Sequence, residues 1–224
     1  MKQLFAFFST LIIMLFTTIT LISCEKKAEI KDKVAIEDKS ILPPKKTSTD
    51  YSKSLKEDVL LDYITKASTI QPNYKNGVPF DKLDYDKIIA YDFEGSEEPY
   101  PSVIDKQGNF VPTILAQKAL SQIQADKILS TLTKKSTYGE GTAACFNPHF
   151  ALVFYRNNKK VNQINICLDC NYLISEINIP AEKHQKVNKG TEEEYALTGF
   201  TKSGKSEIIK LCKELKFYYE RARN

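Results

Sequence analysis

The residues best able to do chemistry are five cysteines, at positions 24, 145, 167, 170 and 212, and two histidines, at 149 and 184. Cys24 stands apart near the N-terminus, which leaves an even set of four in the C-terminal half. In an oxidising compartment four cysteines admit three disulfide connectivities. Cys145-x3-His149 and Cys167-x2-Cys170 together also have the composition of a Cys3His metal site. Tetrahedral zinc takes four such ligands at about 2.0–2.3 Å, and a short Cys-x2-Cys turn commonly supplies two of them. Structural disulfide is the leading reading. Zinc and buried or partly free thiols stay open beside it.

Three further readings of these and nearby residues carry less weight. Cys167-Leu168-Asp169-Cys170 has the spacing of a redox dithiol, but such motifs open a helix whose N-terminus lowers the first thiol's pKa. Here the motif is followed by Asn171-Tyr172-Leu173-Ile174, with no helix-start signal. Cys145 with His149 has the residue types of a thiolate dyad, although a histidine beside an apolar strand is more often a satisfied structural residue. Gly199-Phe200-Thr201-Lys202-Ser203-Gly204-Lys205-Ser206 matches the G-x-x-x-x-G-K-[ST] phosphate-loop pattern between a strand and a helix. Only eighteen residues follow Ser206, too few for the parallel βαβ units that normally surround such a loop, so Gly199, Gly204, Lys205 and Ser206 read better as a turn and a basic helix start. No paired carboxylates stand out for acid–base work, and enzymatic activity is not the favoured reading.

Elements must bring the cysteines together. The apolar run His149–Tyr155, the turn residues 156–160 and the alternating run Val161–Leu168 predict a β-hairpin. Its first strand is expected to be central, and its second half-exposed, with Gln163 and Asn165 facing away from Ile164, Ile166 and Leu168. A loop centred on Asn158-Lys159 makes paired positions sum to 317, which sets 147 opposite 170 and brings Cys145 within a few residues of Cys170. The same register sets His149 opposite Leu168, on the other face from Cys167, so a four-ligand metal site would require the strand to bend.

Around the hairpin, Val59, Leu60, Tyr63, Ile64 and Ala67 recur at helical spacing, and Lys87–Phe93 is a short apolar strand closed by Glu94-Gly95. A second helix is expected over about 121–134, with Ser121 as N-cap and Ala125, Ile128, Leu129 and Leu132 inward. Tyr195–Thr198 is strand-like, and a last helix over about 206–219 turns Ile208, Leu211, Cys212 and Leu215 inward, with Tyr218-Tyr219 as core or edge packing. There is no internal repeat. The fold class is α+β, with a small, mostly antiparallel sheet, a central β-hairpin and about three packed helices.

The N-terminus reads as an address. Met1-Lys2 and the uncharged run Leu4–Ile22 precede Leu21-Ile22-Ser23-Cys24, which resembles a bacterial lipobox. That resemblance implies a signal peptide over 1–23 and a diacylated Cys24; an uncleaved membrane anchor is the alternative. Either places the remainder outside the cytoplasm, in the cell envelope. Residues 24–50 are charged and Pro-containing, with too few apolar side chains for a core, and form a tether. Glu25-Lys26-Lys27 could in addition act as a sorting signal. A single domain then spans 51–224. Removing residues 1–23 takes the chain from 32 basic and 28 acidic side chains to 31 and 28, a formal net charge of +3. So small a charge gives no reason to expect nucleic acid as a partner.

Taken together, Cys145-Phe-Asn-Pro-His149, Phe154-Tyr155, Ile166-Cys167-x-x-Cys170-Asn171 and Gly199-Phe200-Thr201 with Gly204 resemble a group of envelope lipoproteins from Bacteroidota. The pattern of that group is C-x-x-P-[RH], then F-Y, then I-C-x-x-C, and the likeness covers about 121–215. It implies that Cys145, Pro148, His149, Cys167 and Cys170 form one structural or ligand-binding corner. The expected partners are the membrane, through the lipid, and an unspecified envelope partner or small ligand. No cofactor is expected unless the zinc alternative holds.

Overall fold

In the computed structural model the described residues are 53–217. The leader, Cys24, the tether and Tyr218-Tyr219 lie outside them. No helix among the described residues is long and apolar enough to cross a membrane.

Nine strands and three α-helices are described. In chain order they are α1 (Glu57–Lys66), β1 (Lys87–Phe93), β2 (Ile114–Ala119), α2 (Gln122–Leu132), β3 (Tyr138–Glu140), β4 (Phe150–Arg156), β5 (Lys159–Cys167), β6 (Tyr172–Ser175), β7 (Lys186–Val187), β8 (Tyr195–Ala196), β9 (Gly199–Phe200) and α3 (Lys202–Leu215). Five strands form one sheet in the order β2-β1-β4-β5-β6, and every pairing in it is antiparallel. The expected α+β class is what the chain adopts, with β4 as the central strand. Two small pairs, β3–β9 and β7–β8, lie outside this sheet.

Both faces of the sheet are covered. Side chains alternate along each strand, and the alternation sorts them into two cores. Ile88, Ala90, Phe150, Leu152, Phe154, Ile164 and Ile166 pack with the inward faces of α2 and α3. Ile89, Tyr91, Phe93, Ala151, Val153 and Tyr155 pack with Leu60 and Ile64 of α1 and with Val103, Ile104 and Val111 of the loop before β2. Helix α2 begins at a capping box, in which Ser121 accepts from the Gln124 amide and the Gln124 side chain returns to the Ser121 backbone. Buried Lys87 joins three elements: its Nζ donates to Ile64 O at 2.8 Å, at the end of α1, and to Asn158 Oδ1 at 2.7 Å in the hairpin turn. A cation satisfying C-terminal helix carbonyls is favourable on both hydrogen-bonding and dipole grounds.

Four details depart from the sequence expectation. The hairpin turn is centred on Asn157-Asn158, because Arg156 pairs with Lys159. Both asparagines have positive φ, 51° and 63°, as a two-residue hairpin turn that follows strand twist requires. A bulge between Phe154 and Tyr155 then sets the rest of the hairpin to pairs such as Phe150 with Ile166 and Leu152 with Ile164, one residue from the expected register. Second, β5 is not half-exposed: Gln163 and Asn165 are buried. Asn165 Oδ1 accepts from Val103 N at 3.0 Å, and Gln163 Nε2 donates to Ile104 O at 2.9 Å, so the two amides fasten the 99–113 loop over the sheet. Third, α3 starts at Lys202 because Thr201 caps it, accepting from Gly204 N. Fourth, the strand expected over 195–198 contracts to Tyr195-Ala196.

Candidate functional site

At one end of the sheet, β5 ends at Cys167 and β6 begins at Tyr172, and the four residues between them form the turn. Cys167 and Cys170 are joined by a disulfide whose Cα atoms are 5.2 Å apart. The covalent link therefore closes the β5–β6 turn, next to the hairpin, and does not bridge the hairpin mouth. Both of its cysteines are fully buried. The last residue of the turn, Asn171, has φ 67°, a left-handed conformation that asparagine tolerates better than most residues. Its side-chain amide donates to Gly141 O at 2.9 Å and Phe200 O at 3.1 Å, while Phe200 N returns a bond to Asn171 O. One residue thus ties the turn to β9 and to the residue that follows β3, a role not assigned from the sequence. Its one sequence signal is an Asn directly after the second cysteine of a tight turn.

A third sulfur lies against this disulfide. Residues 141–148 run across the turn, held by Ala143 N to Cys170 O at 2.9 Å, by the Tyr172 hydroxyl to Cys145 O at 3.1 Å and by Gly95 N to Pro148 O at 2.8 Å. Gly95 has to be glycine for that approach, since a Cβ there would stand 2.5 Å from Pro148 O. The Tyr172 hydroxyl is pushed above the ordinary phenol range, first by burial and then by Cys145 and Glu97, and so remains a donor. Phe146 is buried against Tyr172, ring centroids 4.9 Å apart, and with both disulfide cysteines makes a small separate core. In this frame the exposed thiol of Cys145 has its Sγ 3.4 Å from Cys170 Sγ. Two backbone amides point at the disulfide sulfurs: Asn147 N to Cys170 Sγ at 3.3 Å and Cys170 N to Cys167 Sγ at 3.0 Å.

The remaining candidates are engaged differently. His149 is buried with its Nδ1 3.1 Å from a carboxylate oxygen of Glu94, itself buried. The four residues considered as zinc ligands are not arranged as a metal site. Two are consumed by their own disulfide, His149 is engaged with Glu94, and among the described residues no group of three or more His, Cys, Asp or Glu side chains is placed to hold a metal ion. Cys212 forms no disulfide; it is fully buried on the inward face of α3. Burial first, then Asp92, pushes its thiol well above the ordinary range. His184 is also locally engaged, with Nδ1 2.9 Å from Ala181 O.

In the glycine-rich stretch, Gly199 belongs to β9, Thr201 is the α3 cap, and Gly204 to Ser206 lie in the first turns of that helix. Both glycines have packing reasons. A Cβ at Gly199 would stand 2.4 Å from Gly141 O, and one at Gly204 would stand 2.5 Å from Thr137 O. Burial holds the Lys205 ammonium below its usual range, opposed by Asp169 and Glu140 nearby, so protein carboxylates already answer its charge. A polar cleft of about 390 Å³ lies beside the start of α3, lined by Lys127, Ser130, Lys134, Ser136, Ser203 and Gly204 among others.

The arrangement at the β5–β6 turn is one that can do covalent chemistry: a surface thiol in contact with a buried disulfide whose sulfurs accept backbone hydrogen bonds. No family model matches the chain, and comparison with curated proteins and with solved structures gives no match either.

Proposed function

We propose that this protein is a lipid-anchored module of the cell envelope, held to the membrane through Cys24, and that its folded part is a binding or structural unit in preference to an enzyme. The single observation that carries the reading is the pairing of a lipobox-like Leu21-Ile22-Ser23-Cys24 with a disulfide, Cys167–Cys170. A structural disulfide belongs to an oxidising compartment, which is where a lipoprotein signal would deliver the chain. The likeness to envelope lipoproteins of Bacteroidota supports the same reading. The tether of residues 24–50 would hold the domain off the lipid surface, and the turn disulfide would keep one end of the sheet closed.

Treatment of expressing cells with globomycin, which blocks lipoprotein signal peptidase, tests the anchor. The expected outcome is accumulation of a slower-migrating precursor that still carries residues 1–23, together with loss of Cys24 acylation in a Cys24→Ala variant followed by labelled palmitate. Unchanged migration and unchanged labelling would overturn it.

A further inference from the structure

We infer that Cys145, Cys167 and Cys170 form a thiol–disulfide exchange corner, in which the surface thiol of Cys145 trades places with the buried sulfur of Cys167. The chemistry needs three things: a nucleophilic sulfur in reach of a disulfide sulfur, a leaving sulfur that can carry charge, and access. Cys145 Sγ lies 3.4 Å from Cys170 Sγ, inside the separation of about 3–3.5 Å at which positioned reactants are poised to react. The leaving sulfur, Cys167 Sγ, accepts the Cys170 amide at 3.0 Å, and a hydrogen bond to a developing thiolate makes it a better leaving group. Access divides the three sulfurs, since Cys145 is exposed while Cys167 and Cys170 are fully buried.

The step is an isomerisation. Cys145 gives its thiol proton to water or buffer, and its thiolate attacks Cys170 Sγ. The Cys145–Cys170 bond forms as the Cys167–Cys170 bond breaks, and Cys167 departs as a thiolate that takes up a proton. One disulfide and one thiol are present before and after, so no oxidant or reductant enters. What changes is location: the free thiol moves from the surface to the interior, and the disulfide acquires an exposed sulfur. Cys145 is therefore the route by which outside thiols reach a linkage they cannot touch directly. This differs from a Cys-x-x-Cys redox motif activated by a helix N-terminus, because here the activating element is a third cysteine carried by another segment.

The inference goes beyond the anchored-module reading and does not depend on the lipid. Full-length protein purified in detergent, and its Cys145→Ser variant, would be exposed to reduced glutathione, quenched in acid, alkylated in denaturant and mapped by peptide mass spectrometry. In the parent chain, two glutathione thiols supply the electrons and leave as glutathione disulfide. The exchange corner predicts that Cys145→Ser slows reduction of Cys167–Cys170 by about tenfold or more, since the remaining sulfurs are buried. It also predicts that Cys167→Ser, given oxidised glutathione, forms a Cys145–Cys170 disulfide, whereas Cys170→Ser forms no Cys145–Cys167 link at a comparable rate. Equal reduction rates in the parent and Cys145→Ser proteins, or two persistent free thiols in Cys167→Ser, would overturn the exchange. A parent chain with neither linkage in the map would overturn the disulfide itself, and with it the structural reading above.

Discussion

Cys145 and Cys212 are both unpaired cysteines in the same described fold, yet they sit at opposite chemical extremes. Cys145 is exposed, in contact with a disulfide, and held there by hydrogen bonds from the Tyr172 hydroxyl and from backbone segments that converge on one turn. Cys212 is on the inward face of α3, wholly removed from water, in a core shared with Leu129, Phe154 and Phe200. Burial and Asp92 both disfavour its thiolate. Because the thiolate is the reactive form, the first position is built for exchange and the second behaves as a small hydrophobic side chain. The difference comes from the surroundings: an edge-of-sheet turn crossed by a loop in one case, a helix–sheet interface in the other.

Breaking the interface should blur that difference. Phe154 is fully buried, stacked on Phe80 with centroids 5.6 Å apart and edge-on to Tyr85 at 5.4 Å. Phe154→Ala is expected to destabilise the protein by about 3–5 kcal/mol, read from a denaturant melt, and to raise labelling of Cys212 with it.

A gentler comparison changes each thiol to a hydroxyl. Cys212→Ser buries a stronger hydrogen-bonding group in an apolar site and should cost about 1–3 kcal/mol, whereas Cys145→Ser, at the surface, should stay within about 0.5 kcal/mol. In the unmodified protein at neutral pH, maleimide should label Cys145 at least about a hundredfold faster than Cys212, measured by peptide mass spectrometry. Similar rates would erase the contrast.

A smaller effect should come from Glu182, in the 3-10 turn Pro180–Lys183. Burial raises its carboxyl from 4.5 to about 7, opposed by Lys183. The folded state therefore binds this proton more tightly than the unfolded chain does, and stability falls as pH rises between those two values. Glu182→Gln should melt like the parent near the bottom of that window and a few degrees higher above it. A pH-independent difference would assign the effect to packing instead of protonation.

Much of the frame was legible in the sequence because its signals are local and periodic. Ser121 before an apolar stripe marked α2, the run Lys87–Phe93 marked β1, and the inward face of α3 followed from spacing alone. Strands β2 and β6 escaped because they are short and mixed: Ile114–Ala119 includes Gln117 and Lys118, and Tyr172–Ser175 follows directly on the cysteine turn. Gln163 and Asn165 were misread because alternation separates the two faces of a strand but does not say that a loop covers the second one. At the site, the hairpin register, one residue off, placed Cys145 within a few residues of Cys170, since pairing geometry carries that information. Which pair bonds was not legible, because three sulfurs meet at one turn and spacing does not rank them.

The strand order β2-β1-β4-β5-β6 also carries a consequence for the order of events as the chain emerges, N-terminus first. Strand β1 is buried along its whole length and pairs only with strands that come later, β2 and β4. Until residues 150–156 have followed it, the segment Lys87-Ile-Ile-Ala-Tyr-Asp-Phe93 has at most one neighbour and an open backbone edge. Such an edge on an apolar strand is a template for association between chains. The wait for β4 is therefore a vulnerable interval in this protein's assembly, and β1 is a segment on which a chaperone holding the nascent chain would act.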